Sequence, residues 1–145
     1  ERFDGAYSFF DSLNYITDPQ RLRMALHRVA AHLRPGGSFI FDLNTAYAFE
    51  AELFTQKEKR KNAAIRYDWV GHYDRATKII RVDMTFWKGD EELHETHVQR
   101  AYGDEEIRDY LAEAGFIEVE AFHSYSLDRP RPKSDRVHYC ARTPS

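Results

Sequence analysis

The chain has 145 residues, 31% of them charged, and a net charge of −3. That balance excludes the basic footprint of a nucleic-acid-binding domain, and no apolar run approaches the ~20 residues needed to span a bilayer. The single cysteine, Cys140, excludes an internal disulfide and fits a reducing cytosol, so a cytoplasmic protein of one domain is expected. The chain opens on Glu1 rather than Met, which suggests that its natural start lies further upstream.

The first element is a strand over about Gly5 to Phe10, running into the polar knot Asp11-Ser12 and Asn14. Asp18-Pro19 then starts a helix, with Asp18 as N-cap and Pro19 at its first position. Leu22, Ala25, Leu26, Val29, Ala30 and Leu33 follow as one apolar stripe, and Pro35-Gly36-Gly37 is expected to stop the helix. Phe39-Ile40-Phe41 does not alternate with polar residues, so it reads as a strand covered on both faces, as in a parallel sheet. Strand, helix and strand make a βαβ unit with a right-handed crossover.

The middle of the chain changes character. Thr45 to about Lys61 reads as a helix carrying Phe49, Leu53 and Phe54, with the charge run Lys57 to Lys61 as its solvated end. Ile65-Tyr67-Trp69 and Ile80-Val82-Met84-Phe86 then alternate with polar residues, and Leu93 to Tyr102 forms a weaker third strand. These predict a three-stranded antiparallel meander with one aromatic and aliphatic face, inserted between residues 45 and 103 of a single α/β domain over 1–145. Asp104 caps a last helix that Gly115 closes, and strands over Ile117 to Tyr125 and Arg136 to Arg142 complete the chain.

Three segments in this order resemble a known family. "FDGAYSFFDSLNYI", "LRMALHRVAAHLRPGGSFIFDLN" and "DEEIRDYLAEAGF" are similar to the second half of a class I S-adenosylmethionine-dependent methyltransferase, and most similar to small-molecule members, including sugar N-methyltransferases. The Leu33-Arg34-Pro35-Gly36-Gly37 turn and Ala114-Gly115-Phe116 carry the likeness. The resemblance implies the C-terminal half of a Rossmann-like sheet, in the order 4-5-7-6. It implies S-adenosyl-L-methionine as cofactor and a small-molecule methyl acceptor. The family's Gly-rich cofactor loop is absent, because Gly36-Gly37 follows a helix and precedes a strand. A chain of this kind, taken alone, is expected to be inactive and to bind the cofactor weakly. A non-catalytic binding module derived from the same fold is the alternative.

Ligands of open α/β sheets sit beyond the carboxyl ends of the strands. By resemblance, backbone groups of Phe9, Phe10 and Asp11 contact the methionine part of the cofactor. Asn14, Asn44 and Thr45 lie on the two loops expected to flank a substrate. Tyr15 occupies a position where related N-methyltransferases carry a catalytic His, and a phenol there can orient an amine or accept its proton; packing beside Ile16 is the other reading. Asp11 can equally cap its own loop. Tyr67, Trp69, Phe86 and Trp87 read either as a wall over a substrate or as a packed meander face. His94-x-x-His97 is no metal motif, because residues three apart on a strand point to opposite faces. Finally, the first strand carries Tyr7, Phe9 and Phe10 with no Lys or Pro, so it is expected to act as an exposed edge that pairs two copies into a homodimer.

Overall fold

The computed structural model describes residues 1–145 and contains two four-stranded sheets. The first is built from β1 (Phe3–Ser8), β2 (Leu33–Asn44), β7 (Ile117–His123) and β8 (Arg136–Arg142). Its order is β1-β2-β8-β7, with β1 parallel to β2 and the other neighbours antiparallel. Renumbered by family position, that is the expected 4-5-7-6 sheet. Helix α1 (Pro19–His32) crosses from β1 to β2, and α3 (Asp104–Glu113) precedes β7. Both helices pack on one face, which receives Phe39, Phe41 and Leu43 of β2 together with Val137, Tyr139 and Ala141 of β8. Non-alternating Phe39-Ile40-Phe41 therefore has Ile40 on the opposite face, 40% exposed. The core is an aromatic spine: Phe41 stacks on Phe39 at 4.9 Å and on Tyr139 at 5.1 Å between ring centroids, in the offset geometry that aromatic pairs favour.

Asp18 caps α1 as expected, its carboxylate accepting the Gln20 N–H at 2.9 Å, and Pro19 fills the first helical position. The Pro-Gly-Gly turn does not end the helix, however. Helix α1 stops at His32, and Leu33 already has extended backbone angles, one residue ahead of Arg34, which the following Pro35 keeps out of the helical region. The turn is instead an excursion within β2: Phe3 pairs with Leu33 and Gly5 with Ser38, so residues 34–37 bulge opposite Asp4 alone. Gly36 takes φ +71° there, which an L side chain would strain.

The second sheet has the order β3-β4-β5-β6, from β3 (Gln56–Lys57), β4 (Arg66–Asp74), β5 (Ile79–Lys88) and β6 (Glu91–Arg100), all antiparallel. It corrects the three-stranded expectation by one short strand. The helix predicted over Thr45 to Lys61 is likewise reduced to α2 (Ala46–Glu50). Beyond it Glu52 takes φ +57°, the chain reverses, and Gln56–Lys57 pair with Trp69 and Asp68. Helix propensity in this stretch gives way to burial: Phe49 meets Phe54 and Tyr73 at centroid distances of 5.3 and 5.5 Å over a second core formed with Ile80, Val82 and Met84.

Glu106 ties the end of β6 to α3. It accepts from Arg100 at 3.0 Å and from Tyr110 at 2.7 Å. Burial works to raise its carboxyl, but the bonds from Arg100 and Tyr110, with the charges of Arg100 and Lys78, hold it below the usual 4.5. A carboxyl lowered by folding contributes stability above its unfolded pKa and loses it as pH falls through the folded value. Glu106→Gln should therefore cost about 1.5–3 kcal/mol at neutral pH in urea unfolding, with wild type and variant converging well below pH 4.5.

Candidate functional site

The site lies where the carboxyl ends of β1 and β2 meet the meander. Residues 9–15 leave β1 two positions earlier than the sequence suggests, because Phe10 and Asp11 take left-handed angles, φ 59° and 52°. That conformation is unfavourable for residues with a side chain, and Asp42 compensates it. Its carboxylate, 1% exposed, accepts the N–H of Phe10 at 3.1 Å and of Asp11 at 2.7 Å. Arg136 of β8 stands 3.1 Å from the same carboxylate and donates to Asp11 at 3.0 Å. Burial works to lower the Arg136 guanidinium, yet the bond to Asp11 and the charges of Asp42 and Asp11 raise it, so its charge is secure. His138 is 3.6 Å from Asp42, but burial outweighs that carboxylate and lowers the imidazole from 6.5.

From Asp11 the polar chain crosses to the second sheet. Gln99 of β6 donates to Asp11 at 2.6 Å and accepts from the Asn44 amide at 3.1 Å. Asn14 completes the crossing: its amide nitrogen donates to the carbonyls of Asn44 and Arg100, and its oxygen accepts the Asn44 N–H at 2.9 Å. The Tyr102 hydroxyl donates to the Ile16 carbonyl. Thus the loop after β1 is bonded to both sheets.

Above this network opens a cavity of about 520 Å³, within the range of small-molecule sites. Asp11, Tyr15, Asn44 and Arg136 line one side, and Glu95, His97 and Gln99 of β6 another. Trp69, Val82, Met84 and Phe86 form the apolar floor, with Phe54 and Leu53 at the rim. The floor follows the strand register: Trp69, Met84 and Glu95 share one cross-strand row, and Gly71, Val82 and His97 the next. A side chain at Gly71 would press on Phe54, 3.2 Å from the position of its Cβ. The Trp69 indole N–H is buried without a partner.

The sequence-predicted residues fall into three groups. Asp11, Tyr15 and Asn44 line the cavity. Asn14 has no exposed surface and its amide is spent on backbone, so it braces the wall from behind and presents nothing to a ligand. Thr45 caps α2, accepting the Ala48 N–H and donating to the Ser134 carbonyl. Phe9 and Phe10 turn their rings to the other side of the loop, into a second, mostly apolar cavity of about 530 Å³ lined also by Ile40, Phe122, Tyr125 and Leu127. The N–H groups of Phe10 and Asp11 face Asp42. Glu95, Gln99 and Arg136 have no assigned role in the sequence reading, and His97 enters it only as half of the rejected metal motif. The alternation of Glu95, His97 and Gln99 along one strand was the available signal, since period two puts all three on one face.

The two histidines of His94-x-x-His97 have separate partners. His94 meets Thr85 and Glu92, whereas His97 meets Tyr15 and Glu95. Tyr15 is 44% exposed, and its hydroxyl lies 2.6 Å from His97 Nδ1.

No family model matches the chain. A curated protein of Geobacillus sp. strain WCH70 named a "putative methyltransferase" is 28% identical over 97% of this chain and 59% of its own length. A crystal structure of an S-adenosylmethionine-dependent methyltransferase from Clostridium acetobutylicum, 26% identical, superposes on the whole chain with a TM-score of 0.88. The chain carries the fold of a class I S-adenosylmethionine-dependent methyltransferase. It spans about 60% of the length of the relatives it matches. An amino pentose methyltransferase from Micromonospora echinaspora, solved with S-adenosylmethionine bound, shares the methyltransferase fold at 17% identity, with a TM-score of 0.69 over 98% of this chain and 59% of its own. S-adenosylmethionine is the cofactor of this fold. No helix of the chain is long and apolar enough to cross a membrane.

Asp42 is the partner on which this loop depends. Removing one member of a buried charge pair costs about 3–5 kcal/mol. Asp42→Ala should therefore lower unfolding stability by about that amount, and should also release the Phe10 and Asp11 amides, measurable as faster hydrogen exchange at those two positions than at the strand residues Ala6 and Tyr7.

Proposed function

We propose that the chain forms the acceptor-binding part of an S-adenosylmethionine-dependent methyltransferase that acts on a small molecule. The observation that carries this reading is the cavity beyond the β1 and β2 ends, enclosed by the meander and lined with both aromatic and polar groups. Methyl transfer from a sulfonium gains much of its rate from holding donor and acceptor in line, and a preformed cavity bound to both sheets suits that demand. The cofactor's methionine end is assigned to the Phe9–Asp11 edge, and the methyl acceptor to the cavity that Tyr15, Asn44 and Trp69 line. Tyr15 directs its phenol at the acceptor. Asn14 and Thr45 hold the two flanking loops in place rather than touching substrate.

About 40% of the relatives' length lies outside the part that this chain matches. In the proposed enzyme that additional part supplies the Gly-rich cofactor loop and covers the bare face of the first sheet, where Phe9, Ile40 and Tyr125 line the second cavity. Isothermal titration of the 145-residue chain with S-adenosylmethionine should show no binding in the micromolar range, while the full-length gene product binds and transfers methyl groups. Micromolar affinity of the chain alone would overturn this division of the site.

The outer edge of β1 has no partner strand, and Tyr7 and Phe10 on and beside it are 76% and 73% exposed. An apolar edge without Lys or Pro is a template for another strand. In the isolated chain it pairs with a second copy, giving a homodimer. Sedimentation equilibrium at tens of micromolar should return twice the mass of 17.1 kDa, and Tyr7→Lys should return a monomer. A monomeric wild-type chain would remove this assignment.

A further inference from the structure

Three side chains at the cavity wall form a continuous line to solvent. The Tyr15 hydroxyl meets His97 Nδ1 at 2.6 Å, and His97 Nε2 meets a Glu95 carboxylate oxygen at 2.9 Å. An ionised carboxylate only accepts, so Nε2 carries the ring proton and Nδ1 offers its lone pair. The phenol therefore donates to Nδ1, and its oxygen lone pairs are left for a donor in the cavity. Glu95 is the most exposed of the three: its side chain is 59% accessible, against 31% for that of His97 and 44% for Tyr15. Tyr15, His97 and Glu95 all line the same cavity.

We infer that Glu95, His97 and Tyr15 form a proton relay that takes the proton released by the methyl acceptor and passes it to solvent. The inference rests on the methyltransferase reading of the cavity and deepens it. It assigns the acceptor to the class of protic nucleophiles, N–H or O–H, rather than thiolates. The nucleophile's lone pair forms the new bond to the methyl carbon as the carbon–sulfur bond breaks, and the sulfonium becomes a neutral thioether. The nucleophile's proton moves to the Tyr15 oxygen, and the Tyr15 proton moves to His97 Nδ1. The imidazolium so formed is held by Glu95, which stays ionised, and later loses a proton to water. His97 and Glu95 are positioning and relay residues acting through Tyr15. The other charged groups facing this cavity are Asp11 and Arg136, which are paired with each other, and Asp135.

The test uses the full-length gene product with labelled S-adenosylmethionine and two acceptor probes. Benzylamine must shed a proton to be methylated; thiophenol is already largely a thiolate at neutral pH and needs no proton acceptor. His97→Gln keeps a hydrogen-bond acceptor for Tyr15 but cannot carry a proton. It should slow transfer to benzylamine about 100-fold near neutral pH, the lower end of general acid–base contributions. Transfer to thiophenol should fall by no more than a few fold. Glu95→Gln should act in the same direction with a smaller loss. Equal losses with both probes would overturn the relay and leave the methyltransferase reading standing. Transfer by the wild type to neither probe would overturn the reading, and the relay with it. The 15N shifts of the His97 ring supply an independent arm: a neutral tautomer protonated at Nδ1 would overturn the relay whatever the kinetics show.

Discussion

The buried carboxylate of Asp42 is the constraint on which this architecture turns. It sits at the carboxyl end of the central strand β2 with 1% of its surface exposed. A charge so placed is tolerated only when its lone pairs are satisfied and an opposite charge is close. Here the satisfying groups are the amides of Phe10 and Asp11 and the guanidinium of Arg136. One side chain thus joins three strand ends. It also holds two consecutive residues in left-handed angles, and those angles turn the chain from β1 into the short 3-10 segment Ser12–Tyr15. Without that turn Tyr15 would continue along the strand direction instead of facing the meander.

The second sheet is joined to the first chiefly by polar bonds. Asn14, Asn44, Gln99 and Asp11 form a connected chain across the boundary, and each apolar cluster stays on its own side of it. Hydrogen bonds fix distance and angle more narrowly than apolar contact does. A cavity bounded by such a seam keeps its shape. The cost is that every member needs its partner, because a half-satisfied buried network is less stable than an apolar one. That demand explains why Asn14 and Thr45, on loops flanking the cavity, serve the backbone.

The two cavities have different characters for a related reason. Helices α1 and α3 cover one face of the first sheet and leave the other bare. In this fold open sheets are covered on both faces, and Ile40 within β2 is as apolar as its buried neighbours Phe39 and Phe41. The apolar cavity beside Phe9 and Phe10 lies on that bare side, whereas the polar-walled cavity lies over the strand ends. The loop of residues 9–11 separates them and lines both, as do the end of β2 through Asp42 and Asn44 and the start of β8 through His138 and Arg136.

Local sequence determined the elements whose signals are short-ranged. Asp18-Pro19 starts a helix because a cap and a fixed φ act within one turn, and Tyr67-Trp69 with Val82-Met84-Phe86 make strands because period two is decided by neighbouring residues. The 4-5-7-6 sheet was legible because the three family-like segments occur in order. Tertiary structure decided the rest. The helix expected over Thr45 to Lys61 is cut to five residues because Phe54 gains more from packing on the Phe49 ring than its segment gains from helical bonds. The strand ending at Ser8, rather than Phe10, follows from an amide-accepting carboxylate 31 and 32 residues away. His97 acquires its place beside Tyr15 only when the meander folds over a loop 82 residues earlier in the chain. Caps and periodicities are written in adjacent residues, but a buried charge and the groups that satisfy it come from distant ones. Their pairing is therefore chosen by the folded chain as a whole.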